Sequence, residues 1–313
     1  MKRILLASTM LVAGAGMAAA DVTISGYGRF GLEYDSTAGA GFSKTVIDSR
    51  LRLNITGTME TDGGVTFGGR LRLQYDQGDD PHDMTFNTAQ YFVSYEGLTI
   101  YVGNVETPWD NVALIWNSEM GFQDSSVGDP YNPYFGYGNF KGNTWPYPQD
   151  AVGVSASYSV GDLNIWAAYV NPDQTVKDLP GWADKEISLS VDYTTGPFTV
   201  AAAYIGNTAG FKDDNVGFIG AAYNFGDGNV GLNYINYDYS VGPSDHQITL
   251  YGNYTFGATT VRAVVSDWNF PGNKTAYGIG ADYDLGNGAR ISGTYQRDHW
   301  GDKFADLGVR FDF

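Results

Sequence analysis

The chain has 313 residues, no cysteine and a formal net charge of −17, which deepens by two when Lys2 and Arg3 leave with a leader. So acidic a chain repels phosphate, which excludes nucleic acid as a partner. An exported chain without disulfides must be held by hydrogen-bonded strands, and since no later segment approaches ~18 consecutive apolar residues, only strands can carry it through a bilayer.

Lys2 and Arg3, the apolar run from Ile4 to Met17 and Ala18-Ala19-Ala20 before Asp21 read as a cleaved secretory signal over 1–20, leaving 21–313 as the mature chain. The run is too short, and too weakened by Gly14 and Gly16, for an anchor. Sixteen alternating stretches follow, at 22–34, 48–60, 65–76, 87–95, 98–103, 151–159, 162–170 and 185–194, then 198–206, 216–224, 229–237, 246–256, 259–267, 276–284, 289–296 and 304–313. Joints after even-numbered strands are tight turns such as Glu96-Gly97 and Gly196-Pro197. Those after odd-numbered strands are longer and polar, which puts both termini on one side. A β-sandwich, the soluble alternative, has no reason to keep every second connection short, whereas an outer-membrane barrel does.

The last stretch shows the two faces: Ala305, Leu307, Val309, Phe311 and Phe313 on one, Asp306, Gly308, Arg310 and Asp312 on the other. The apolar faces end in Tyr or Phe, and Tyr34, Tyr75, Tyr95, Tyr158, Tyr169, Tyr193, Phe198, Tyr204, Tyr254, Phe256, Tyr283 and Phe313 form the expected aromatic girdles. Strands 198–206, 216–224 and 229–237 fit the alternation least well, and a bulge would fit there. Residues 104–150 form one connection far longer than the rest. Its Val112-Ala113-Leu114-Ile115-Trp116 stretch is too apolar for a solvated outer loop and is expected to fold inward onto the wall.

Parity places Arg29, Arg50, Arg52, Arg70, Arg72, Arg262, Arg290 and Arg310 on the polar face, as it must when a charge facing the bilayer midplane costs ~2–4 kcal/mol. The first five lie on the first three strands. Packed like charges need an answer, and the long connection offers Glu106, Asp110, Glu119, Asp124 and Asp129. A basic wall facing an acidic loop across a gap sets up a transverse field that filters solutes by size and charge. The competing reading pairs these arginines with Glu33, Asp48, Glu60 and Asp76 to fill a closed interior, but sixteen strands enclose more space than side chains fill.

Gly26-Tyr27-Gly28-Arg29-Phe30-Gly31 matches a dinucleotide-binding string but lies inside a strand with no helix after it, so its glycines are wall positions. His82, His246 and His299 lack metal spacing, no Gly-x-Ser-x-Gly hints at a hydrolase, and the loop acids Asp79-Asp80, Asp83 and Asp213-Asp214 suit solvent as well as Ca²⁺. No enzymatic chemistry is expected.

Ile24 to Leu32, Ser49-Arg50-Leu51-Arg52, Val102-Gly103-Asn104-Val105, Val112-Ala113-Leu114, Ser118-Glu119-Met120-Gly121 and Gly308 to Phe313 together resemble the general diffusion porins of alphaproteobacterial outer membranes, the Rhodobacter-type porins above all. The resemblance runs through essentially the whole mature chain. It implies a sixteen-stranded antiparallel transmembrane β-barrel with short periplasmic turns, a homotrimer set among outer-membrane lipids and lipopolysaccharide, and passive passage of ions and small hydrophilic solutes. It also implies that 104–150 is the constriction loop, with Arg29, Arg50, Arg52, Arg70 and Arg72 on the basic side and Glu106, Asp110, Glu119 and Asp124 opposite. Calcium near Glu106 and Asp110 is a further implication, with no cofactor required. Gly26, Gly28 and Gly69 would give the trimer a flat outward face. The chain departs from the family at Pro108-Trp109 and at Tyr131-Asn132-Pro133-Tyr134-Phe135-Gly136-Tyr137, which keeps a sugar- or nucleoside-selective channel as the alternative.

Overall fold

The computed structural model describes residues 20–77, 85–138 and 151–313. The expected leader, Asp79-Asp80, His82, Asp83 and the end of the long connection with Trp145 lie outside the described residues. The strand segments are β1 (Asp21–Asp35), β2 (Thr45–Glu60), β3 (Thr66–Asp76), β4 (Thr85–Phe86), β5 (Gln90–Tyr95), β6 (Leu98–Gly103), β7 (Val152–Val160), β8 (Leu163–Asn171) and β9 (Glu186–Thr195). Then come β10 (Phe198–Gly206), β11 (Asn215–Asn224), β12 (Gly228–Asp238), β13 (Asp245–Phe256), β14 (Thr259–Trp268), β15 (Ala276–Gly286), β16 (Ala289–Arg297) and β17 (Lys303–Asp312).

Each pairs antiparallel with its neighbours, and β1 pairs with both β2 and β17, so the sheet closes. Both β4 and β5 pair with β3, which makes them two pieces of one wall strand in a barrel of sixteen. Closure leaves no unpaired edge, the condition for strands in hydrocarbon. The turns carry the backbone that two-residue hairpins need: Glu96 and Gly97, and Asn287 and Gly288, all have positive φ. Gly26 N–H donates to Phe313 O at 2.8 Å, so both ends of the barrel sequence sit at the turn side.

Side chains alternate as the pattern requires. Val200, Tyr204, Leu232, Tyr254 and Ile279 are among the many large apolar side chains exposed on the outer wall. Of the expected girdle residues, all but Tyr34 and Tyr75 are exposed, and those two are half-buried. Gly28 is covered by the Phe311 ring and Gly69 is flanked by Tyr91.

Two departures from the expected wall have a common cause. The fourth wall strand breaks at 87–89 because the chain leaves the wall at Gly103, where φ is +96° and a side chain would strike Ala89 O. Asn104 N–H then donates to Ala89 O at 3.1 Å, Asn104 Nδ2 to Thr88 O at 3.2 Å, and Gln90 Nε2 to Asn104 O at 3.0 Å, replacing ladder bonds. The bulge expected in 198–237 is absent: β10, β11 and β12 pair in unbroken register, and a register shift occurs instead at Asp284/Gly286. The alternation weakens there because the inner face is apolar. Ala201, Ala203, Ile205, Val216, Phe218 and Ile235 point inward onto Trp109, Val112, Leu114 and Ile115 of the long connection. A barrel strand covered on its inner side by protein reads apolar on both faces.

Candidate functional site

Residues 104–138 lie inside the barrel and travel round its inner wall. Val105 packs on Val170 of β8, and a short helix, Pro108–Asn111, carries Trp109, which is fully buried against Phe218 of β11. Asn233 Nδ2 on β12 donates to Leu114 O at 2.8 Å, while Met120 joins Tyr251 and Val264 of β13 and β14. The segment then reaches β1 and β17, where Phe122 sits on a flat spot made by the facing pair Gly31 and Gly308. A side chain at Gly308 would come within 2.6 Å of that ring.

The return leg lies against the same strands. Val127 N–H donates to Gln296 Oε1 at 3.0 Å and Tyr131 N–H to Tyr237 OH at 3.1 Å, and Tyr131 stacks on Trp268 with centroids 4.7 Å apart. Glu186 of β9, almost completely buried, accepts from Phe135 N at 3.1 Å and Ala209 N at 2.7 Å. The loop lines the wall from β6 round to β1 and leaves β2 and β3, with their arginines, facing it.

The arginines are answered unevenly. Arg50 pairs with Asp76 and donates to Tyr27 OH at 3.3 Å, and Arg70 pairs with Glu106. Arg29 donates to Gln123 O of the loop, while Arg52 donates to Gln74 and lies 5.0 Å from the centre of the Tyr27 ring. Arg72 donates to Asn54 at 2.9 Å and to Tyr137 O at 3.2 Å. The guanidiniums of Arg70 and Arg72 both lie over the Tyr137 ring, 3.7 and 4.5 Å from its centroid, so one π-system answers two like charges. Tyr27 does the same for Arg52 and Arg310.

Asp124 pairs with none of the five expected arginines, although Arg29 donates to the neighbouring Gln123 O. It pairs with Arg290 and Arg310 on β16 and β17, because the loop has travelled round to those strands by residue 124. Glu106 and Asp110 stay near Arg70 and Arg72 as expected; Asn111 Nδ2 donates to Glu106 at 3.1 Å and Tyr134 OH to Asp110 at 3.2 Å. Calcium takes six to eight oxygens, and among the described residues no three acidic or histidine side chains converge, so this pair is a poor fit for it.

Burial, reinforced by the nearby Glu106 carboxylate, pushes Asp110 up to about 6. Burial with Asp129 close by pushes Glu119 up to about 8, and burial lifts Asp129 to about 7. The loop is therefore only partly charged at neutral pH, while among the described residues Arg29, Arg52 and Arg72 have no carboxylate within ion-pair distance. The sequence places Tyr27 in a glycine-rich strand and Tyr137 in the aromatic run but assigns neither to the arginine wall, although Tyr27 shares the polar parity of Arg29. The aromatic run is spent on packing: Tyr131 on Trp268, Tyr134 against Trp116, Phe135 in a buried cluster, Tyr137 against Arg70 and Arg72.

Residues 7–302 match the family model for the Gram-negative porin. The chain is 46% identical over 294 residues to a porin from Fuscovulum blasticum, covering 94% of this chain and 100% of that one. It is 27% identical over 329 residues to a porin from Rhodobacter capsulatus, again covering 94% and 100%. A mutant of Rh. blastica porin superposes with a TM-score of 0.85 at 44% identity, covering 93% of this chain and all of that one.

Proposed function

Because the chain belongs to the Gram-negative porin family, we propose that its inner loop and arginine wall together form the constriction that sets which solutes pass. It is an outer-membrane general diffusion porin, a passive channel for small hydrophilic solutes rather than a member of an enzyme family. The observation that carries the constriction is the placement of Glu106 and Asp110 on a loop inside the barrel beside Arg52, Arg70 and Arg72. Size is limited by the loop, and the field between the walls acts on charge. Glu119 and Asp124 belong to the part of the loop that faces β12 to β17. No covalent step is part of this reading. Neither is calcium, since binding it at Glu106 and Asp110 would take Glu106 from Arg70.

The functional unit is a homotrimer seated in lipid and lipopolysaccharide, a reading supported by the continuous apolar outer wall. The test is single-channel recording of the detergent-purified protein in a planar bilayer. Ohmic steps closing in groups of three are expected. A silent bilayer would refute the channel, and isolated single closures would refute the trimer.

A further inference from the structure

On the turn side of the inner loop, opposite the arginine wall, a recess of about 320 Å³ opens between the loop and strands β12 to β16. That is near the lower end of small-molecule sites, ~300–1,000 Å³. Its wall is a row of hydrogen-bonding groups on successive strands. Asn229 faces Asn253 directly, Asn253 faces Arg262, and Arg262 holds Asp282 at 2.7 Å. Directly opposed side chains start ~4.5–5.5 Å apart, so the row offers donors and acceptors at short, regular intervals. The side-chain oxygen of Asn229 has no partner among the described residues and lies out of reach of water, so the amide must turn toward the recess for a solute to satisfy it.

The loop supplies the other side. Trp116 is half-buried, its indole N–H donating to Asp110 O at 3.3 Å, and it lines the recess beside Glu119. Charge is internally balanced: Arg262 is answered by Asp282, Arg290 by Asp124. Glu119, pushed up to about 8 by burial, is mostly neutral at physiological pH. A recess of paired charges and three carboxamides, Asn117, Asn229 and Asn253, favours no ion of either sign.

We propose that this recess is a low-affinity subsite for a neutral polyhydroxylated solute, a mono- or disaccharide, with its hydroxyls on Asn229, Asn253 and the Arg262–Asp282 pair and the edge of Trp116 at its margin. It rests on the channel reading above and gives a nonspecific pore a holding point for sugars on the periplasmic side of its constriction. The rings of 131–137 take no part.

The test is ion-current recording with maltose added to either side of the bilayer, and polyethylene glycol of matching size as the volume control. Saturable block by maltose, stronger from the turn side and absent with polyethylene glycol, is expected. The N229A/N253A double variant should raise the half-blocking concentration about tenfold, equivalent to ~1.4 kcal/mol. Each single substitution should raise it about threefold, a measure that serves if the double variant does not assemble. Equal, non-saturating reduction by maltose and polyethylene glycol would overturn the subsite, as would saturable block that N229A and N253A leave unmoved. Either result would leave the porin conducting, so it is distinct from the silent bilayer that would refute the channel itself.

Discussion

Removing the charges of Arg52 and Arg72 should turn the channel toward cations. Arg50 and Arg70 are paired directly with Asp76 and Glu106, but Arg52 and Arg72 lean on Gln74, Asn54 and tyrosine rings and meet Asp76, Glu106 and Asp110 only at longer range, so their charges act on passing ions with less compensation. An ion ~8 Å from one of them in water feels ~0.5 kcal/mol, which a Debye length of ~10 Å at 0.1 M salt cuts to ~0.2 kcal/mol. Two such charges act with opposite sign on anion and cation, so R52Q/R72Q should raise the cation-to-anion permeability ratio by ~0.9 kcal/mol, or four- to fivefold.

Reversal potentials across a KCl gradient in a planar bilayer measure that ratio. The R52K/R72K pair keeps the charge and loses the planar geometry, and it should stay close to the parent. A glutamine variant with an unmoved ratio would refute the assignment of these residues to the constriction field. A lysine variant that shifts as far as the glutamine variant would show that geometry, not charge, sets the preference.

Two further outcomes follow from the loop. Asp110, Asp129 and Glu119 titrate near 6, 7 and 8, above the ordinary carboxylate range of ~4, so they are neutral at low pH and gain charge as pH rises. Cation preference should therefore climb between about pH 5 and 9, and because the docked loop holds these protons more tightly than a free chain, its docking should weaken from about pH 4, where a free carboxylate ionises, to about pH 8. Reversal potentials that stay flat across that range would contradict the burial of these groups. Separately, W109A removes a fully buried indole and should cost ~3–5 kcal/mol, seen as a lower melting temperature in detergent and noisier, larger conductance steps. A variant with parent-like melting and steady current would mean that the loop is not anchored through Trp109.

The wall was legible in the sequence because period 2 and the alternation of short and long joints are local signals. Strand ends fall within three residues of expectation apart from the gap at 87–89, and the inward arginines follow from parity alone. Pairing of charges was less legible for a geometric reason. Parity says which face a residue occupies, but not where round the barrel a long loop has travelled when it presents an acid. Asp124 was expected opposite β1 to β3 and instead answers Arg290 and Arg310, since Phe122 has already reached Gly31 and Gly308.

The signal for that path was present in the misfit of three strands. Inner positions Ala201, Ala203, Ile205, Val216, Phe218 and Ile235 are apolar where a water-filled lumen would select polar groups, and they match the apolar stretch of the loop that covers them. The opposite inner wall, on β2 and β3, carries Arg50, Arg52, Arg70 and Arg72 and no such run. A lumen apolar on one side and basic on the other can take an apolar loop on one side alone, so the asymmetry of the inner faces decides where the loop docks and therefore where water runs. By that argument the alternation fails at β10 to β12 because the loop docks there, and a bulge was the wrong inference from a correct observation.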